Sequence, residues 1–208
     1  MMPSDPTQAD VVARLRRLSA REMPEGPQPL EATCDLCGRE MSEEHRHLLQ
    51  IEERQLVCAC EACYALRSGD AEFRPTGTRV LWLSGFRMPD DLWGRLRIPI
   101  GLAFFLKGEG GVTALYPSPA GATESDVEPS AWADLVGMND ILQMLEEESE
   151  VLMVNRMKGA QEYAIAPTDE AYRLVGLVKT RWEGISGGQG LENAVAEFFA
   201  ELRQKAAA

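Results

Sequence analysis

Apolar and polar side chains change their rhythm several times along this chain, and each rhythm predicts a different element. Val11, Val12, Leu15 and Leu18 recur at helical spacing within residues 7–21. Ser4 or Asp5 can cap that segment and Pro6 falls near its first turn, so a short amphipathic helix is predicted. Residues 23–29 carry Pro24, Pro27 and Pro29; helices and central strands do not tolerate the loss of those backbone donors, and the segment reads as a linker. Residues 47–51 and 55–58 are two short strand-like runs around Glu52-Glu53-Arg54, and a helix is predicted to start near Cys60.

After Ser68-Gly69-Asp70 the texture turns branched and aromatic. Residues 79–86, 98–107 and 112–116 predict three strands, with a helical turn at 89–93 and a hairpin-type connection at Gly108-Glu109-Gly110-Gly111. Residues 116–125, rich in proline and hydroxyl side chains, predict a semi-rigid surface loop of the sort that often carries recognition. Helical segments from Pro129 to about Glu148 lead to a second strand pair, 151–156 and 162–166. Two helices close the chain. Thr168 or Asp169 caps the first, whose apolar positions are Ala171, Leu174, Val175, Val178 and Trp182. Leu191, Ala194, Val195, Phe198, Phe199 and Leu202 form a stripe on the second that the sheet or another chain must cover. The pattern is that of an α+β protein with a mixed or antiparallel sheet. Its expected division is 1–30, helix and linker; 31–68, a small metal module; and 69–208, the α+β domain.

The middle segment owes its assignment to cysteine. Cys34 and Cys37 form one Cys-x-x-Cys pair, Cys60 and Cys63 a second, with 22 residues between them, which is the spacing of a tetrahedral zinc site. Gly38 allows a tight knuckle after the first pair, and Tyr64-Ala65-Leu66-Arg67 begins a helix after the second. Knuckle, hairpin and helix in that order suggest a treble-clef or zinc-ribbon-like module. A closed structural zinc site is expected, because a piece this small cannot bury enough surface to fold alone. Rubredoxin-like iron is the alternative, although its two matched knuckles each need a glycine, and Tyr64 follows the second pair here. Cys58 supplies a third thiol in Cys58-Ala59-Cys60-Glu61-Ala62-Cys63, and a sulfur cluster or a second metal stays open. His45 and His47, the chain's two histidines, would point to one face of an extended strand. They read either as a labile second metal site or, preferably, as a polar strand edge donating hydrogen bonds.

Charge narrows the partners. The net charge is -12, and residues 31–67 carry eight acidic side chains against four arginines, so nucleic acid is not an expected partner. The longest apolar run, 98–106, has nine residues including Pro99, about half of what a membrane-spanning helix needs. No membrane insertion is expected. Arg16-Arg17 is followed by no apolar stretch that export would require, so a cytoplasmic location is expected, with its thiols reduced.

Catalytic signatures are poor. No histidine follows His47, Asp90-Asp91 reads as a helix cap, Glu146-Glu147-Glu148 as a solvated helix end, and Ser186-Gly187-Gly188-Gln189-Gly190 as a flexible loop rather than a phosphate cradle. No catalytic residue is assigned.

Several residue runs carry a resemblance. They are Cys34-Asp35-Leu36-Cys37, Glu44-His45-Arg46-His47-Leu48-Leu49, Cys58-Ala59-Cys60 to Cys63, Ile98-Pro99-Ile100, the stretch 116–125, Val154-Asn155-Arg156, and Tyr172 through Trp182 to Gly188. Together they resemble an uncharacterised, largely actinobacterial domain-of-unknown-function family, over most of the chain from Cys34 onward. Members of that family are often encoded beside uptake-type nickel–iron hydrogenases. The resemblance implies an accessory role in maturation, assembly or function, with a hydrogenase subunit or maturation factor as partner, and it brings no catalytic residue. A thiol or iron redox protein serving the same system is the alternative.

Overall fold

Ala103-Phe104-Phe105-Leu106 offers no polar residue to turn toward water, and the fold buries this run on both faces of a sheet. The structure, a computed structural model, describes residues 32–125, 127–184 and 187–207. The helix expected within 7–21 and the linker at 23–29 lie outside the described residues.

The body is a six-stranded antiparallel sheet built from β6 (Leu81–Trp82), β7 (Leu102–Gly108), β8 (Gly111–Ser118), β9 (Gly121–Ser125), β10 (Glu150–Asn155) and β11 (Glu162–Pro167), in the order β6-β11-β10-β7-β8-β9. Alternation along the two central strands feeds two cores. Leu102, Phe104 and Leu106 join Val151 and Met153 on one face, and Ala103 and Phe105 join Leu152 and Val154 on the other. The first face is covered by α4 (Thr168–Arg181) and α5 (Gly188–Lys205). Leu191, Val195, Phe198, Phe199 and Leu202 of α5 are buried there, so the expected stripe is covered by the chain's own sheet. The second face is covered by α2 (Asp90–Arg95), α3 (Pro129–Met138) and the short 3-10 turn after α3.

A smaller unit precedes the body in the chain. β1 (Ala32–Thr33) and β2 (Glu40–Met41) pair around the first Cys-x-x-Cys, β3 (Arg46–Gln50) and β4 (Gln55–Ala59) form the hairpin, and α1 (Glu61–Arg67) follows. β5 (Phe73–Pro75), from beyond residue 68, adds a third strand beside β3. Leu48, Val57, Ala59 and Phe73 make a core for one face of this sheet with Cys63 and Tyr64 of α1. Leu49 points the other way, into the core of the body.

The chain is therefore α+β with antiparallel sheets. Several local expectations need correction. The stretch 116–125 is a strand hairpin and not a loop: β8 runs on to Ser118 and β9 returns from Gly121. Its β7 ladder ends at Phe104 with Leu115, so Pro117 falls past that ladder's end, where a missing donor breaks no bond on the β7 side. The strand expected at 98–107 begins only at Leu102, because Gly101 lies against the backbone of Arg156 and Met157, with room for no side chain. The strand expected at 79–86 shortens to Leu81–Trp82, where the Phe86 N–H turns back to the Leu83 carbonyl. Thr168 does not cap α4; its hydroxyl donates to the Glu148 carbonyl, and Asp169 and Glu170 supply the acidic first turn.

The carboxylate clusters have structural work. Asp90 and Asp91 open α2, and Asp90 pairs with Arg156. Glu146-Glu147-Glu148 is a turn into β10 instead of a helix end, where Glu147 pairs with Lys107 at 3.1 Å and burial raises the Glu148 carboxyl. The next glutamate in sequence, Glu150, is 1% exposed and is held bidentately by Arg79, at 2.5 and 2.8 Å.

Candidate metal centre

A Cys-x-x-Cys pair can aim both sulfurs at one point only if the backbone turns sharply between and after them. Around the first pair the turn is closed by the Gly38 N–H donating to the Cys34 carbonyl at 2.8 Å, and Gly38 takes a φ of +72°, a conformation that glycine adopts without strain. The Cys34 N–H donates to the Arg39 carbonyl at 2.8 Å, closing the loop into the β1–β2 ladder. Asp35 then straps the knuckle to β4: its N–H donates to the Cys58 carbonyl at 2.9 Å, and its carboxylate accepts from the Cys58 N–H at 2.7 Å. At the second pair, Cys60 is the residue preceding α1 and Cys63 lies in its first turn.

These elements bring Cys34, Cys37, Cys60 and Cys63 together, with all four sulfurs within 4.8 Å of one another. The Cys37 and Cys60 sulfurs are 3.8 Å apart. Zinc–sulfur bonds of about 2.3 Å in a tetrahedron require sulfur separations of about 3.8 Å, so the donor set fits a tetrathiolate ion. Cys34 and Cys60 are buried, Cys63 is partly covered, and Cys37 reaches the surface.

The electrostatics suit anionic sulfur. Burial pushes the Cys34 thiol up, but the N–H groups of Cys60, Leu36 and Cys37 aimed at it outweigh burial and bring it down to about 6. The Cys63 N–H likewise lowers Cys60. Cys63 itself, hydrogen-bonded to Cys37, is pushed up to about 12. A dication among the four sulfurs would favour the thiolate form of each.

Residues 33–206 match the model of the Family of unknown function (DUF5947). The chain belongs to this family. No curated protein and no solved structure matches it. The DUF5947 match begins one residue before Cys34, so it takes in the whole thiol cluster and the body that carries it.

Within this DUF5947 chain, Cys58 is not part of the tetrathiolate group. It lies opposite His47 in the β3–β4 register and joins His45 and His47 in a second group whose ligand atoms are also within 4.8 Å of one another. Burial and then the Asp35 carboxylate raise its thiol. Two participants were not legible in the residue pattern. Asp169 meets His47 across 122 positions of sequence, at 3.1 Å, and Asp35 acts through a hydrogen bond to Cys58 that spacing alone does not announce. Among the described residues, no helix is long and apolar enough to cross a membrane.

Proposed function

We propose that this protein is a zinc-stabilised accessory protein that works through protein–protein contacts in the maturation, assembly or function of a nickel–iron hydrogenase. The zinc part of the reading rests on one observation: four sulfurs spaced for tetrahedral thiolate coordination, one pair on a glycine knuckle and the other at the start of a helix. Knuckle, hairpin and helix correspond to a treble clef, in which the ion is a structural crosslink with no open position. The hydrogenase part is supported by the family likeness of the residue runs from Cys34 onward, and the partner would be a hydrogenase subunit or maturation factor in the cytoplasm. The β8–β9 hairpin, with Pro119 and Ala120 at its tip, is the recognition element offered to that partner.

Elemental analysis and the visible spectrum of purified protein test the metal, and co-purification tests the partner. One zinc per tetrathiolate and a colourless protein are expected, since thiolate-bound ferric iron absorbs visible light and zinc does not. A coloured, iron-containing protein would replace this reading with a rubredoxin-like one. Recovery from a native host with unrelated proteins only, and never with hydrogenase components, would remove the hydrogenase assignment.

A further inference from the structure

A histidine donates one ring nitrogen and offers the other as a ligand, so the hydrogen bond at one nitrogen decides what the other can do. His45 Nδ1 is 3.0 Å from the Ser42 carbonyl, which can only accept, so Nδ1 carries the proton and Nε2 presents a lone pair. His47 Nδ1 is 3.1 Å from the Asp169 carboxylate, which fixes the same tautomer. The two rings meet edge to face with centroids 4.7 Å apart. Cys58, across the ladder from His47, brings its sulfur to the same point. Hydrogen bonding at a polar strand edge does not account for this convergence, because among the described residues His45 Nε2 is buried with no partner, and so is the second oxygen of Asp169.

We propose that His45, His47 and Cys58 form a second metal site, separate from the tetrathiolate, for a borderline first-row divalent ion of the zinc and cobalt class. Two imidazoles and one thiolate suit such ions, whereas magnesium and calcium need oxygen donors. Asp169 behind His47 is the carboxylate partner that commonly orients a metal-binding histidine. Cys58 as thiolate and Asp169 together balance the charge of the dication. The Cys58 proton leaves to solvent on binding. Three protein ligands leave one coordination position for water or an incoming ligand, the arrangement of exchangeable sites and not of closed structural ones. A cavity of about 150 Å³ lined by His45, His47, Tyr64, Thr76 and Asp169 lies beside the rings. Because Asp169 belongs to the first turn of α4, the ion would also link the small unit to the body.

The test is metal stoichiometry on the full chain. Protein with its first ion in place is titrated with Zn²⁺, and with Co²⁺ as an optical probe, and bound metal is measured after gel filtration. Wild type is expected to hold a second equivalent. Cys58→Ala and His45→Gln should lose that equivalent and keep the first, and Asp169→Asn should weaken the second by about 10- to 100-fold with the first unchanged. Cobalt in the second site should give a thiolate charge-transfer band that Cys58→Ala removes. A wild-type chain saturating at one ion, or variants that hold the second as tightly as wild type, would overturn the proposal. Neither result would touch the tetrathiolate reading, which Cys34→Ser addresses separately. Because the wild-type count is decisive alone, a variant that fails to fold leaves the test standing.

Discussion

At the scale of single residues, the first site depends on one backbone conformation as much as on four sulfurs. Gly38 closes the knuckle with φ of +72°, and among the described residues nothing lies within 4 Å of where a Cβ would stand. The cost of Gly38→Ala is therefore conformational and not a clash, about 1–2 kcal/mol for a non-glycine residue in the left-handed region. Competition with a chromophoric chelator is expected to show zinc affinity falling by roughly 5- to 30-fold. An unchanged affinity would mean that the knuckle can form without this turn. This requirement was readable in advance, because a glycine directly after Cys-x-x-Cys has a local reason to be there. The division of labour between Cys58 and Cys60 was readable only as a preference. Both lie within reach of Cys63 in sequence, and it is the end of β4 at Ala59 that sends Cys60 toward α1 and leaves Cys58 opposite His47.

At the scale of elements, the small unit is clasped to the body by α4, β9 and the turn before β10. Tyr172 of α4 donates its hydroxyl to the Arg54 carbonyl in the β3–β4 turn, Arg54 pairs with Glu124 of β9, and Ser149 donates to the Pro75 carbonyl of β5 at 2.9 Å. Burial, opposed by Arg54 and reinforced by Glu148 and Glu124, pushes the Tyr172 phenol up to about 12, from an ordinary value of about 10. The folded state thus binds this proton more tightly than the unfolded state. Its contribution is fully present below pH of about 10 and is lost as pH rises toward 12. Denaturation midpoints should fall across that window in wild type and fall less steeply in Tyr172→Phe. Parallel slopes in the two proteins would show that the phenol does not titrate in the clasp. The helices of this layer were legible, since Ala171, Leu174, Val175 and Val178 recur at the 3.6 period and are buried in α4 together with Thr168, although Trp182, expected in the same row, falls just past the helix end. The β8–β9 hairpin was not. Its prolines and glycine are turn formers in any local reading, and only β8, paired with β7 as far as Leu115 and then running on against β9, gives those residues a strand to belong to.

At the scale of the whole molecule, the two units differ in what holds them. The body has a sheet buried on both faces by two large apolar clusters, while the small unit has a core of four buried residues, Leu48, Val57, Ala59 and Phe73. A core of that size does little to offset the entropy of ordering the chain around it, and on the proposed reading an ion at the four cysteines supplies the difference. Removing metal with a strong chelator is expected to open residues 33–67 to proteolysis while the six-stranded sheet survives, giving two unfolding transitions where the metal-loaded protein gives one. Equal protection of both units after metal removal would show that docking through Leu49 and Tyr172 suffices without the ion.

The residue order alone determined those features whose causes are local. The Cys-x-x-Cys spacing with its glycine, the amphipathic period of the closing helices and the doubly apolar run at β7 each state their structure within a few positions. Tertiary structure decided what depends on residues far apart in the chain: which thiol joins which cluster, how the prolines of 116–125 enter a sheet, and that Asp169 stands behind His47. Those contacts form between surfaces brought together by burial of the cores, and no short-range periodicity encodes the meeting of two such surfaces.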